Sequence, residues 1–567
     1  MDRRTVLAIA LMGGVMFIYQ TFLAPSPVPP VEQAEQTQSS PATEHLDRSP
    51  SDTRTYGSTE NETTEEFSGR SDIGGIPNTE AGVAMDASRR ADVGIAKISA
   101  SPAVSIDKQL YRTTLDPRGA KLPAWQLTNY TDKEDALVNL ATDPAGLMRM
   151  SLITDAGRID LSSLPFEAVR VGPNVSQLTT TTSSGLIIEL RYEFVDEYTA
   201  NIDLWAKGTV PGRRNAELEL EFPTPLPDVE KIRQLDERSA AALVMIDDKL
   251  HKETVHKKKP GWSNHREGQI RWAGVRSKYF IAAVIPTEPV AGVFDADVPT
   301  TAGRVRTRLS IPITEEPSQA IQFSLFAGPM QHDLLSSRGV GLESAIDLGW
   351  KVIQPFSRLL MICMAWLHRF IPNYGVVILI VSIVTKLVFY PLTRKSMQSM
   401  KGLQDLKPEM EKVNERYKDD PQAKQKAIFD LYKEHKVNPV GGCLPMLVQM
   451  PIFVALYNVL ANSIELRKEP FFLWISDLSV PDNIATIFGM PIHVLPILMG
   501  VTMLIQQRLT PTDPRQAALM YIMPIMMLFF FYTLPSGLVL YWTISNVLQI
   551  VQQVITNRES RQQLAAA

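Results

Sequence analysis

The chain has 567 residues, with 57 Lys and Arg against 61 Asp and Glu and a formal net charge of −4. That length leaves room for several domains, and the near-neutral balance argues against a nucleic-acid partner. Its two cysteines, Cys363 and Cys443, both lie in apolar surroundings, which excludes a disulfide framework and argues against a cysteine-based zinc site.

Arg3 and Arg4 are followed by an apolar run over 5–24, about the 20 residues a helix needs to cross a bilayer core of roughly 30 Å. A cleaved signal peptide would have a shorter apolar core and a small-residue cleavage site, whereas Pro25, Pro27, Pro29 and Pro30 follow directly. Residues 1–24 are therefore expected to be an uncleaved anchor that starts in the cytoplasm. Residues 25–92 are rich in Pro, Ser, Thr and Glu, with twelve acidic against five basic residues from 31 to 90. Such a segment buries too little apolar area to offset its ordering entropy, so it reads as a disordered tether.

Over 93–338 the period of the pattern becomes two. Ile188, Leu190, Tyr192 and Phe194 alternate with Glu189, Arg191 and Glu193; Ala216, Leu218, Leu220 and Phe222 alternate with Glu217, Glu219 and Glu221. Val305, Thr307 and Leu309 alternate with Arg304, Arg306 and Arg308. Runs of this kind, each with one charged face and broken by Pro and Gly, predict half-buried strands in a large antiparallel β-sandwich. The basic segment 251–259, with His251 and His256, and His265 beyond it, reads as a solvated loop rather than a metal site. In 342–371, Ile346, Ile353, Phe356, Leu360, Leu367 and Phe370 recur at broadly helical spacing among Lys351, Arg358, His368 and Arg369. That pattern suits an amphipathic helix lying along a membrane surface.

Five further spans are expected at 374–392, 442–464, 491–509, 518–535 and 537–556, six with the anchor. The connection 391–441 carries eleven Lys and Arg, whereas 465–488 carries only Arg467 and Lys468. Lys and Arg favour the cytoplasmic side of short loops. The hairpin region 393–441, both termini and the tail 557–567 are thus expected inside, and the β-domain and the 465–490 loop in the periplasm. Within 393–441, Met400, Leu403, Met410, Val413 and Tyr417 mark one helix face, Asp419-Asp420-Pro421 a turn with an N-cap, and Ile428, Leu431 and His435 a second helix. The expected fold is an α-helical polytopic membrane protein with a large periplasmic antiparallel β-sandwich and a cytoplasmic helical hairpin.

Walker A, Gly-x-Ser-x-Gly, His-Glu-x-x-His and Cys-x-x-Cys patterns are all absent, so the sequence points to no enzyme and no cofactor. The spans do carry polar groups. Lys386 sits in the second, with Ser382 one turn earlier. Gln449 and Phe453 share a face in the third, and Trp542, Asn546, Gln549 and Gln553 step by four, three and four along the last. A charge in a span usually faces a protein interior or a wet cavity, although Lys386 is close enough to the boundary at Pro391 to snorkel. Polar faces on three helices suggest a shared recess; ordinary interhelical hydrogen bonding is the plainer alternative. Methionines are dense nearby, at 446, 450, 499, 503, 520, 523, 526 and 527. Their flexible side chains suit a surface that accepts many partners, and equally an ordinary core.

Five stretches carry a family resemblance: Phe389-Tyr-Pro-Leu-Thr393, Lys436-Val-Asn-Pro-Val-Gly-Gly-Cys-Leu-Pro445, Gln449-Met-Pro-Ile-Phe453, Leu495-Pro-Ile-Leu-Met-Gly-Val-Thr502 and Leu534-Pro-Ser-Gly-Leu-Val-Leu-Tyr541. In order and spacing the chain resembles the YidC membrane protein insertases (the YidC/Oxa/Alb family) in their long Gram-negative form. In motif the resemblance covers about 345–556, and elsewhere it is one of architecture. It implies that five of the six helices form an insertase core around a groove open to cytoplasm and lipid, lined by Lys386, Ser382, Gln449, Met450, Phe453, Trp542 and Asn546. The family typically has arginine at the position of Lys386 and commonly tyrosine at that of Trp542. Charge is kept at the first, but the bidentate fork is lost.

The resemblance further implies an inner-membrane insertase and chaperone acting both alone and with the Sec translocase. The implied partners are nascent integral membrane proteins, the Sec translocon with its SecD and SecF subunits and the lipid bilayer, with a ribosome contact left open and no nucleic acid. Two other classes fit less of the sequence. A small-molecule transporter would show internal repeats, and a membrane-anchored periplasmic scaffold leaves the intramembrane polar faces unexplained.

Overall fold

The structure, a computed structural model, describes residues 101–155, 157–208, 216–222, 226–230, 239–254, 258–298, 305–313, 320–437, 444–488, 490–509 and 514–566. The expected anchor at 1–24 and tether at 25–92 lie outside these residues.

Alternating side chains build the first half. A small antiparallel sheet takes β1 (Val104–Asp107), β2 (Tyr111–Asp116), β3 (Lys121–Thr131) and β4 (Leu137–Asn139) in that order. A 14-stranded sheet takes β5 (Arg149–Thr154), β6 (Gly157–Asp160), β7 (Glu167–Arg170), β8 (Val175–Thr181), β9 (Ile187–Val195), β10 (Thr199–Lys207), β11 (Glu217–Phe222), β12 (Ala241–Ile246), β13 (Lys249–Thr254), β14 (Ser263–Arg276), β15 (Phe280–Pro286), β16 (Val290–Asp297), β17 (Arg306–Pro312) and β18 (Ile321–Pro329). Its order is β6-β5-β11-β17-β16-β14-β15-β18-β10-β9-β8-β7, with β12 on β14 and β13 on β12. Tyr111 stacks on Trp125 at 4.4 Å. Trp125 Nε1 donates to Ala327 O (2.8 Å) and Tyr192 Oη to Ala120 O (2.8 Å), joining the small sheet to β18 and β9. Two sheets closed over a shared aromatic core form a β-sandwich.

On β9 the period-two expectation meets its residues: Ile188, Leu190, Tyr192 and Phe194 are buried. On β11 the charged face is corrected. Glu219 and Glu221 are buried, because arginines from β5 and β6 lie over them. Arg158 reaches Glu219 at 2.6 Å and Glu221 at 3.8 Å, and Arg149 reaches Glu221 at 4.0 Å. Burial, then the neighbouring Glu219, pushes the Glu221 carboxyl up. The loop expected at 251–259 is also corrected in part: His251 lies in β13, while 255–257 fall outside the described residues.

After a short helix at His332–Ser336, eight longer helices of the described residues follow: α1 (Gln354–His368), α2 (Tyr374–Asp405), α3 (Lys407–Arg416), α4 (Pro421–Glu434), α5 (Leu444–Asn462), α6 (Val494–Leu509), α7 (Pro514–Phe531) and α8 (Ser536–Ala566). Among the described residues two stretches, Tyr374–Leu403 and Ser536–Arg558, are long and apolar enough to cross a bilayer; Val448–Asn462, Val494–Leu509 and Ile522–Phe531 are shorter apolar helices. α2 and α8 run past their apolar segments because the Lys, Arg, Gln and Glu residues that follow are good helix formers. The stretch at 491–509 opens in a strand, β20 (Met490–Ile492) paired with β19 (Ala485–Ile487), before its helix begins. Of 342–371 only the second half is α-helical, after a 3-10 turn at Leu342–Ala345. Ser357, Met361 and Met364 of α1 are buried, and Phe356, Leu359, Ile362, Trp366 and Phe370 form an exposed apolar stripe.

α8 packs against α2, α5 and α6. The 465–488 loop closes over one end of these helices, where Asp482 Oδ2 accepts from Val494 N (2.8 Å), Leu495 N (2.9 Å) and Trp474 Nε1 (2.9 Å). Its carboxylate thereby caps the first turn of α6 from twelve residues upstream.

Candidate functional site

The site is organised by the amphipathicity of α8. Trp542, Asn546, Gln549 and Gln553 share one face, with Gln552 at its margin, whereas Val547, Val551 and Ile555 on the far side are exposed. Asn546, Gln552 and Gln553 are buried, so the polar arc turns toward its neighbours and the apolar arc outward. This inverts the arrangement of a water-soluble helix, as expected for a helix with hydrocarbon on its outer side.

Lys386 of α2 is half-buried, and its Nζ donates to Gln549 Oε1 of α8 at 2.8 Å. The ammonium is thus directed across to α8. On the outer side of α2, Ile383, Val384, Leu387 and Val388 are exposed. Asn546 Nδ2 donates to Thr502 Oγ1 of α6 at 3.3 Å, linking α8 to a second neighbour. Aromatic side chains close one end of the arc. Phe453 of α5 stands edge-on to Trp542 (4.7 Å, 82°), and Phe531 lies 5.1 Å from Trp542. Gln449, one turn before Phe453, interacts with the Tyr541 hydroxyl of α8.

Of the residues singled out from the sequence, Lys386, Gln449, Phe453, Trp542 and Asn546 therefore all meet α8 or lie on it. Ser382 is fully buried, and its Oγ donates to its own helix at Ile378 O (2.7 Å). Met450 is half-buried on α5. Met499 is wholly buried, and Met503 and Met527 pack against the core, so these three act as core fillers; Met523 is exposed. Two features escaped the sequence reading. Thr502 gives no periodic signal of its own, yet it is the partner of Asn546. Gln507 Oε1 and Gln552 Nε2 are buried with no hydrogen-bond partner among the described residues. A Gln near the end of an apolar stretch is the available signal.

Residues 366–563 match the family described as the 60Kd inner membrane protein, and residues 103–361 match the YidC periplasmic domain. A membrane protein insertase YidC from Pelobacter propionicus is 32% identical, over 98% of this chain and 99% of its own length. Another of the same name, from Geobacter sulfurreducens, is 35% identical over 80% of this chain and 85% of its own. A crystal structure of an active YidC insertase, with its first transmembrane domain resolved, aligns over 81% of this chain and 94% of that one at 18% identity and a TM-score of 0.36.

Proposed function

The chain belongs to the YidC family of membrane protein insertases, inner-membrane proteins with a periplasmic domain that act on membrane-protein substrates, and from that premise we propose how its own residues do the work. The observation that carries the reading is the Lys386–Gln549 bond between α2 and α8, one cation held by a single neutral amide beside a polar helix face. A substrate carboxylate is a better acceptor for that ammonium than Gln549, since it adds the attraction of opposite charges, which is strong away from bulk water. An acidic extracellular tail would therefore displace Gln549, and the unpaired Gln507 and Gln552 atoms offer further places for water or substrate groups. Polar sites inside the bundle lower the cost of bringing such a tail partway through the bilayer. Hydrophobicity and membrane potential then supply the drive, with no nucleotide, cofactor or bond-making step.

In this reading six helices span the membrane and five form the core around the groove. α3, α4 and both termini are cytoplasmic, on the strength of eleven basic residues in 391–441 against two in 465–488. The α3–α4 hairpin receives the emerging substrate, alone or from a ribosome. Met450, Phe453 and Trp542 belong to the wall of the path, with the buried Ser382 behind it, and the inserted helix leaves along the apolar outer sides of α5 and α8. The same exit serves substrates handed over by the Sec translocon with SecD and SecF, and the protein acts as a chaperone for multispanning ones.

The test is depletion of the protein in cells, with insertion of a single-span substrate bearing an acidic periplasmic tail as the readout. Wild type and Lys386→Arg are expected to restore insertion, and Lys386→Ala to fail at equal protein level. Equal rescue by all three would remove Lys386 from the mechanism; no rescue by wild type would sink the reading for this substrate class.

A further inference from the structure

A cavity of about 240 Å³ lies away from the groove, between α1, the start of α2, the end of α5 and the segment 331–333 that leaves the β-sandwich. One wall is apolar, built from Met361, Met364 and Val459, and its rim includes Ile362, which belongs to the exposed apolar stripe of α1. The other wall is charged. Arg369 Nη2 pairs with Asp333 Oδ2 at 3.2 Å, and both side chains are about two-thirds exposed. Glu465 is largely buried, burial pushes its carboxyl up, and it accepts from Ser463 Oγ at 2.6 Å. Among the described residues no Lys or Arg forms an ion pair with it.

One guanidinium and two carboxylates, one of them without a cation, next to an apolar rim complement a small amphiphile carrying a phosphate and a hydrogen-bonding cation. A purely anionic headgroup would meet both carboxylates. A quaternary ammonium needs an aromatic cage, and the one aromatic ring lining the cavity besides His332 is Tyr374, already stacked on His368 at 3.9 Å. The volume lies below the roughly 300–1,000 Å³ of drug-sized ligand sites, so a headgroup fits and the acyl chains must lie outside. We propose that this cavity binds the headgroup of a phospholipid bearing a primary ammonium, with the ammonium between Asp333 and Glu465, the phosphate at Arg369 and the chains along the exposed stripe of α1. The site would hold α1 against the end of α5 at the bilayer surface. This rests on the reading above that α1 lies at that surface and α2 begins there.

The experiment is native mass spectrometry of the full-length protein released from nanodiscs holding phosphatidylethanolamine, phosphatidylglycerol and phosphatidylcholine in equal parts. Wild type is expected to retain the ethanolamine lipid roughly tenfold over the other two, the discrimination of one charge-assisted bond. The Asp333→Asn, Glu465→Gln double variant, near-isosteric at both positions, is expected to lose that preference while keeping its thermal midpoint. Equal retention of the three lipids by wild type overturns the proposal, as does a preference that survives in the double variant. Saturable binding of soluble ethanolamine phosphate without any lipid preference also overturns it, assigning the cavity to a soluble ligand. Retention of no lipid at all would overturn the membrane-surface reading together with the proposal.

Discussion

Lys386 has one amide as its partner, where a guanidinium would reach two acceptors at once. That difference sets the size of the expected effects. Interhelical hydrogen bonds in membranes average about 0.6 kcal/mol and reach about 1.7, so a double-mutant cycle of Lys386→Met with Gln549→Leu should give a coupling on the order of 1 kcal/mol. A coupling of zero in detergent unfolding would mean that the bond is not populated. Trp542 touches Phe453 and Phe531 but is only half-buried. Trp542→Ala should therefore cost about 2–3 kcal/mol, less than a fully buried aromatic, while Trp542→Tyr keeps most of the ring contact; thermal midpoints separate the two. A charge inside an apolar stretch drew attention to Lys386, and spacing drew it to Asn546 and Gln549. Ser382 behaved otherwise because a serine hydroxyl in a helix can satisfy itself on the carbonyl four residues back.

Among the elements, α4 shows local chemistry acting alone. Asp420 accepts from Gln422 N (3.1 Å) and Ala423 N (3.0 Å), and Pro421 fills the first helical position. Asp420→Ala should cost about 1 kcal/mol and speed amide exchange at 422 and 423; unchanged exchange would mean that the cap adds nothing. That helix start was legible as Asp-Asp-Pro. Gly349, just ahead of α1, was not. Its φ of +88° is left-handed, and a β-carbon there would run into the Asn458 side chain of α5. Gly349→Ala should thus disturb both the turn and its seat on α5, lowering the thermal midpoint more than an alanine elsewhere in 342–353 would. The charged face of β11 misled for a related reason: alternation reveals which side chains share a face, and what covers that face decides whether it is wet.

Across the whole molecule, two clamps join the β-sandwich to the helices. Arg467 donates to Glu230 Oε1 (2.9 Å), Thr131 O (2.7 Å) and Val229 O (3.1 Å), with both charged side chains buried. Removing one partner of a buried pair costs about 3–5 kcal/mol. Arg467→Ala should therefore loosen the junction, broadening spin-label distances between the β-sandwich and α5; unchanged distributions would count against the clamp. The second clamp is Asp347, bound by Lys252 Nζ (2.7 Å) and Arg276 Nη2 (3.5 Å), while its carbonyl accepts from Asn462 Nδ2 (3.0 Å). Burial alone would raise its carboxyl; the two cations outweigh that and hold it at about 2, below the ordinary 3.8. A lowered acid stabilises the fold above its unfolded value and ceases to as pH falls through the folded one. The clamp should therefore weaken between about pH 4 and pH 2, and this component of the acid titration should vanish in Asp347→Asn.

The β-to-helix switch, the apolar segments, the caps and the polar stripe of α8 are local properties of the chain, because period, charge bias and turn chemistry act within a few residues. Folding was needed to bring Lys386 to Gln549 and Asn546 to Thr502, to bury the β11 glutamates, and to close a charged cavity from segments between 331 and 465. Each of these depends on which elements become neighbours. That outcome is set by packing complementarity summed over the whole chain, and no single stretch of sequence carries it.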